Sequence, residues 1–318
     1  MTHFDVFNGD ADGICSLLQL RLATPIDAVL ITGAKRDIAL LQRVVAEPGD
    51  KVTALDISVA VNRQALLALL DRGVTIEYFD HHFAGELPTH SGLKAHIDTS
   101  PGVCTGILVD RYLAGKHRIW AVVAAFGDNL AGAAQELAAP LLMAVGQLAA
   151  LQELGESLAY NAYGDSENDL IIQPAELYRV LWHCADPFRF MHTEPLFGLI
   201  TAARRRDLDL ARQEQPELAL ARATVYILPD APWSRRVRGV FGNELANRSP
   251  DLAHAILTPN TRGGYAVSLR APLGKMVGAD ALCRQFATGG GRAAAAGIND
   301  LPTDKLHEFV RCLDRAFS

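Results

Sequence analysis

Four short apolar runs in the first eighty residues, most of them leading through a polar turn into a helical stretch, limit this chain's fold more than any other feature. The runs cover residues 4–7, 28–32, 51–55 and 74–79, and helical apolar patterns follow at 14–22, 38–46 and 61–70. Strands separated by helical patterns of about 10–15 residues build βαβ units and hence a parallel sheet. From about 104 to 187 the pattern is mostly helical and rich in Ala and Leu, punctuated at 101–102, 127–128 and 164–168. A polar helical connector follows over 188–221, in which Arg204, Arg205 and Arg206 read as a solvated helix face. Strand patterns restart at 223–228 and 265–269, with helical segments at 280–286 and 304–317. These patterns predict an α/β protein: a parallel-sheet N-terminal domain (1–187), a helical linker (188–221) and a smaller C-terminal α/β domain (222–318). The length of 318 residues agrees with roughly two domains.

Composition narrows the setting. With 49% hydrophobic and 21% charged residues the chain is an ordinary globular one, and extensive disorder is excluded. No apolar run approaches the ~18 residues of a membrane span. The N-terminus lacks the basic and apolar regions of a signal peptide. Cysteines 15, 104, 184, 283 and 312 are odd in number and never spaced Cys-x-x-Cys, so they are expected as free thiols in a reducing cytoplasm. The net charge of −6 argues against a protein that coats long duplex nucleic acid. That average hides an asymmetry: residues 1–221 carry 17 Lys/Arg against 28 Asp/Glu, whereas 222–318 carry 13 against 8. An acidic half and an Arg-rich half suit metal cations on one side and an anionic substrate on the other.

Ligands of parallel α/β sheets bind beyond the carboxyl ends of the strands. At such ends this sequence places Asn8-Gly-Asp10-Ala-Asp12-Gly13, Asp56-Ile-Ser58 and Asp80-His81-His82, and Asp128 follows an apolar helix. One aspartate after a strand commonly caps the next helix. Several that converge are different, because uncompensated charges held together cost several kcal/mol each, and the usual compensation is a cation. Mixed carboxylate and imidazole donors suit Mn²⁺, Fe²⁺ or Zn²⁺ better than Ca²⁺ or Mg²⁺. The donors exceed the needs of one tetrahedral ion. Two ions ~3.5–4 Å apart, with one carboxylate bridging, would activate water and clamp a phosphoryl oxygen.

The segments at 8–13, 55–58, 80–82 and 127–128 resemble, in order, the four motifs of the DHH phosphoesterase superfamily. That superfamily includes RecJ-like exonucleases, oligoribonucleases, bisphosphonucleotide phosphatases, cyclic-dinucleotide phosphodiesterases, exopolyphosphatases and family II pyrophosphatases. A second match, Ser268-Leu-Arg270 and then Gly289-Gly290-Gly291-Arg292 with Ala-Ala-Gly downstream, resembles the DHH-associated substrate-binding domain. A glycine triplet opening a helix would expose N–H groups that cradle phosphate. By resemblance, Asp56 bridges two Mn²⁺ ions, with Mg²⁺ as the alternative metal. Asp12, His81 and Asp128 complete one site and Asp10 holds the other. His82 faces the substrate phosphate, and Asp80 orients the histidine pair.

Two positions depart from the family pattern. Asn8 stands where relatives carry His or Asp, and a neutral amide oxygen is a weaker donor. Arg292 replaces the usual His, keeping a phosphate-binding charge but losing the ability to titrate. His183 reads as a packed core histidine, and His96 and Asp98 as structural. Thr105 matches a family Ser/Thr position, which helix capping explains equally well. No dinucleotide or P-loop fingerprint is present.

The expected activity is hydrolysis of dinucleotides, short oligoribonucleotides or bisphosphonucleotides, without a membrane or long duplex as partner and with a homodimer left open. Its rivals are a same-fold exopolyphosphatase or pyrophosphatase, and a non-catalytic nucleotide sensor whose first metal site has decayed at Asn8.

Overall fold

In the computed structural model, which describes Met1–Ser318, the N-terminal apolar run forms β1 (His3–Phe7), buried except at its first residue. It leads into α1 (Ala11–Ala23), whose residues from Ala11 to Arg21 are all buried, so that this helix runs through the interior. β2 (Val29–Ile31), β3 (Lys51–Leu55), α2 (Val59–Asp71), β4 (Thr75–Asp80) and β5 (Leu93–Ile97) complete an all-parallel sheet of order β2-β1-β3-β4-β5. The order reverses direction at β1. At such a switch point the connections leave to opposite faces and a crevice opens between the two central strands. The loops after β1 and β3, which carry Asp10 and Asp56, and the first turn of α1, which carries Asp12, border that crevice.

Two elements of this sheet differ from the sequence pattern. The helix expected over 38–46 is a single 3₁₀ turn, Leu40–Arg43. Asn62 of α2, fully buried, accepts from Leu41 N–H (3.1 Å) and donates to Ile38 C=O (2.7 Å), replacing helical hydrogen bonds with its own. The edge strand β5 has no counterpart among the expected strands, because Lys94 and His96 interrupt its apolar character.

Helices α3 (Thr105–Tyr112), α4 (Arg118–Gly127), α5 (Ala131–Ala138), α6 (Gln147–Asn161), α7 (Pro174–Cys184), α8 (Pro187–Thr193) and α9 (Pro195–Gln213) follow. α4 is buried from Trp120 to Gly127 and packs against α1 and α6. On α7 the buried face is Leu177, Tyr178, Leu181 and Cys184. His183 lies off that face and is exposed, its Nδ1 2.7 Å from Arg179 O, which corrects its reading as a core residue. No helix is long and apolar enough to cross a membrane, and all five cysteines are free.

Residue contacts divide the chain into Met1–Ala202 and Ala203–Ser318, the division falling inside α9. The second unit holds β6 (Leu218–Ala219), β7 (Ala223–Ile227), α10 (Pro232–Arg248), β8 (Ala253–Pro259), β9 (Tyr265–Arg270), α11 (Ala279–Cys283), β10 (Gly289–Gly291), β11 (Ala295–Leu301) and α12 (Leu306–Phe317). Its sheet has the order β10-β11-β9-β8-β7-β6, with only β7 and β8 parallel.

The glycine triplet therefore does not open a helix. It is an edge strand, paired antiparallel with Ala296, Gly297 and Ile298, and the helix-N-terminus cradle expected there is absent. Pairing of the Ala-rich run with β9 outweighs its helical propensity. Gly291 is required at the turn: its φ is 138°, and a Cβ there would lie 2.5 Å from Ala296 Cα.

A buried ion pair ties α1 to β1 and so fixes the loop between them. Arg21 Nε donates to Asp5 Oδ2 (2.8 Å), Nη2 to Asp5 Oδ1, and Nη2 also to Thr53 Oγ1 on β3 (3.0 Å). Removing one partner strands a buried charge. Arg21→Met should cost ~3–5 kcal/mol in urea denaturation, and Asp5→Leu/Arg21→Met should recover most of that loss. Equal stability of the two variants would show that the pair is not the constraint.

Candidate metal centre

Asp10 caps α1: its Oδ1 accepts from Asp12 N–H (3.0 Å) and Gly13 N–H (3.2 Å). Asp12, one residue into the helix, turns its carboxylate toward the start of α3, where Oδ2 accepts Thr105 N–H (2.8 Å) and Oδ1 accepts Gly106 N–H (2.7 Å). The positive end of α3 thus faces an aspartate. Thr105 both begins that helix and reaches the centre, donating from Oγ1 to Asp56 Oδ1 (3.3 Å).

Asp56 ends β3 in the left-handed region, at φ 58°. Its N–H donates to Phe79 O (3.0 Å), extending the β3–β4 ladder one residue past the strand and holding the conformation. Asp128 arrives from another direction, at the carboxyl end of α4, where the helix dipole disfavours a negative charge. His81 joins these groups. Its Nε2 lies 3.5 Å from Asp56 Oδ1, 3.8 Å from Asp128 Oδ2 and 3.9 Å from Asp12 Oδ2.

Donors about 2.0–2.2 Å from one ion lie roughly 3–3.6 Å from each other. Two overlapping sets, Asp12–His81–Asp128 and Asp56–His81–His82, bring their donor atoms close enough to hold a metal ion, and both mix carboxylate with imidazole. Electrostatics point the same way. Burial, with Asp12 and Asp10 beside it, pushes the Asp56 carboxyl well above its usual range. Burial and Asp12 push Asp128 up to about 6. Carboxylates packed this closely resist ionising together, and a divalent cation reverses that preference.

Asp80 is fully buried at the end of β4, and its Oδ1 lies 2.7 Å from His82 Nδ1. Burial alone would lower the His82 pKa, but the bond and charge of Asp80 outweigh it and raise the value. With Nδ1 held inward and the side chain 44% exposed, Nε2 is the ring atom free to meet a ligand.

The remaining sequence-derived residues fall elsewhere. Asn8 is buried, with Oδ1 accepting Asp10 N–H (3.1 Å) and Nδ2 donating to Lys35 O (3.2 Å). His96 stacks on Phe79 and meets Glu77 Oε1 at 3.0 Å, while Asp98 pairs with Arg111, so neither joins the cluster. In the second unit Arg270 is held by Asn243 Oδ1 (2.5 Å), Ser268 Oγ (2.9 Å) and Gly239 O (3.1 Å). Arg292 stands exposed at the tip of the β10–β11 hairpin.

One residue was not anticipated. Lys35, after β2, sends Nζ to 2.5 Å from Asp10 Oδ2 and 3.9 Å from Asp128 Oδ1. Burial pulls its pKa down, yet Asp10, Tyr163 and Asp128 together hold it well above the usual lysine value. The rule that picked out the acids, position beyond a strand's carboxyl end, would have found it had cations been included.

No family model and no curated protein matches the sequence, so the likeness to known proteins is structural. The chain is similar to exonuclease RecJ bound to manganese (TM-score 0.66, 16% identity, 99% of this chain and 89% of that one). It is similar also to RecJ in complex with Mn²⁺ from Thermus thermophilus (0.64, 16%, 99% and 51%). A third is PggH, a pGpG-specific phosphodiesterase from Vibrio cholerae (0.59, 14%, 99% and 98%). The chain has the RecJ-like DHH fold.

On the DHH fold, the cluster at the β1/β3 switch point is where a ligand is expected. His81→Ala, at a position 18% exposed, should leave the circular dichroism spectrum intact. It should also weaken Mn²⁺ binding by more than the 10–100-fold that loss of an outer partner costs. Unchanged affinity in calorimetry would remove His81 from the centre.

Proposed function

We propose that this chain is a metal-dependent phosphodiesterase acting on short nucleotides, with Mn²⁺ as its metal and Mg²⁺ as the alternative. The observation that carries this reading is the convergence of Asp12, Asp56, His81 and Asp128 around His81 Nε2, within 3.5–3.9 Å, beside the exposed His82. A divalent ion held there supplies a Lewis acid for a phosphoryl oxygen. His82, oriented by Asp80, donates from Nε2 to the phosphoryl group.

Short substrates are favoured by the charge asymmetry, the Arg-rich half supplying a grip on a phosphate that is not attacked. Ser268, Arg270 and Arg292 are assigned that grip. Arg270 is fixed by its hydrogen bonds, whereas Arg292 is exposed. The similar structure PggH is by its description a pGpG-specific phosphodiesterase, which supports a linear dinucleotide as the first substrate to try.

The deciding experiment is a panel of pGpG, other dinucleotides, cyclic dinucleotides, 3′,5′-bisphosphonucleotides, pyrophosphate and polyphosphate, assayed with Mn²⁺ and with Mg²⁺. Cleavage of linear dinucleotides at the highest kcat/KM is expected. Turnover of none of the panel would reject an enzyme, and preference for pyrophosphate or polyphosphate would reject the substrate class.

Arg292→Ala should raise KM for a dinucleotide about tenfold or more, the equivalent of ~1.5–3 kcal/mol in a charge-assisted contact. Hydrolysis of bis-p-nitrophenyl phosphate, which has no second phosphate, should hardly change. Equal losses on both substrates would place Arg292 at the reacting phosphate or in the fold.

A further inference from the structure

Resting on the metal-dependent reading above, we propose that Lys35 is a resident cation whose ammonium takes the place of a second divalent ion, so that the centre works with one metal and one lysine. The two-ion arrangement implied by the sequence motifs needs donors from Asn8 and Asp10. Neither offers one here. Asn8 closes its amide oxygen on Asp10 N–H and spends its NH₂ on Lys35 O. Asp10 gives Oδ1 to two N–H groups of α1 and Oδ2 to Lys35 Nζ. Asp10 accordingly stands outside the two residue groups whose ligand atoms converge closely enough for an ion, Asp12–His81–Asp128 and Asp56–His81–His82.

Lys35 is built into this position. Its N–H donates to Ala162 O (3.0 Å), and Asn8 binds its carbonyl, so the backbone is fixed on both sides. The loop it leaves by lies hard against the loop after β1: a Cβ on Gly9 would sit 2.0 Å from Gly33 O, an approach only glycine permits. The residue that departs from the family's acid or His is thus the one that positions the ammonium. Asp128 reaches both groups, with Oδ1 3.9 Å from Lys35 Nζ and Oδ2 3.8 Å from His81 Nε2, so the ammonium stands beside a carboxylate of the candidate metal set. An ammonium has three N–H donors, and with the side chain one-third exposed, those not used by Asp10 can meet a phosphoryl oxygen of the substrate.

The test is Mn²⁺ alone, titrated calorimetrically into the metal-free full chain, with the electron paramagnetic resonance spectrum of the loaded protein. One Mn²⁺ per chain with the spectrum of an isolated ion is expected for the natural chain and for Lys35→Arg. Asn8→Asp/Lys35→Ala should take up two, with the spectrum of a coupled pair ~3.5–4 Å apart. Two coupled ions in the natural chain overturn the inference and leave the metal-dependent reading standing. A folded double variant that still binds one ion also overturns it, since the lysine is then not what excludes the second. A natural chain that binds no ion overturns the metal-dependent reading, and the inference falls with it. If the double variant does not fold, the stoichiometry and spectrum of the natural chain decide.

Discussion

Mutual repulsion among Asp10, Asp12, Asp56 and Asp128 is the interaction around which the first unit is organised. Three of these four acids are anchored by hydrogen bonds. Asp10 holds N–H groups of α1, Asp12 holds N–H groups of α3, and Asp56 lies one residue beyond β3 in the β3–β4 ladder. Asp128 is the least compensated, at the negative end of α4. These attachments stop the acids from swinging apart into water, the ordinary escape from like-charge crowding. Lys35 already meets Asp10, and what remains for Asp56 and Asp128 is either to protonate or to accept a further cation.

The sheet order makes this arrangement attainable. With β1 and β3 adjacent and their connections leaving to opposite faces, two acid-bearing loops meet at one crevice. The buried α1 runs back from that point with Arg21 paired to Asp5, so the loop carrying Asp10 and Asp12 is tied at both ends. A central helix with Asp10 and Asp12 at its start and Arg21 near its end couples stability to the geometry of the centre.

Much of this was legible in the sequence because it rests on backbone rules. Apolar runs alternating with helical patterns give a parallel sheet, and parallel strands deliver the loops at their carboxyl ends to one edge. The acids at 10, 12, 56 and 80 could therefore be placed together from the sequence alone. Asp128 follows a helix, where no such rule applies, and only its motif marked it. The features that stayed hidden depended on tertiary partners. Nothing local shows that Asn62 would unwind the segment at 38–46, or that Ala295 and Ala296 would pair with β9 rather than form a helix. Lys35 lay within reach of the strand-end rule, but its contact with Asp10 arises from two loops packing at Gly9 and Gly33.

Asp56 in the left-handed conformation carries an evolutionary consequence. A non-glycine residue held there stores about 1–3 kcal/mol of backbone strain, and burial of its carboxylate adds to that burden. Glycine at this position would relieve both, so selection for thermal stability alone would favour discarding the group at the middle of the centre. An aspartate there is therefore a cost to stability that the fold bears at the middle of its acidic cluster.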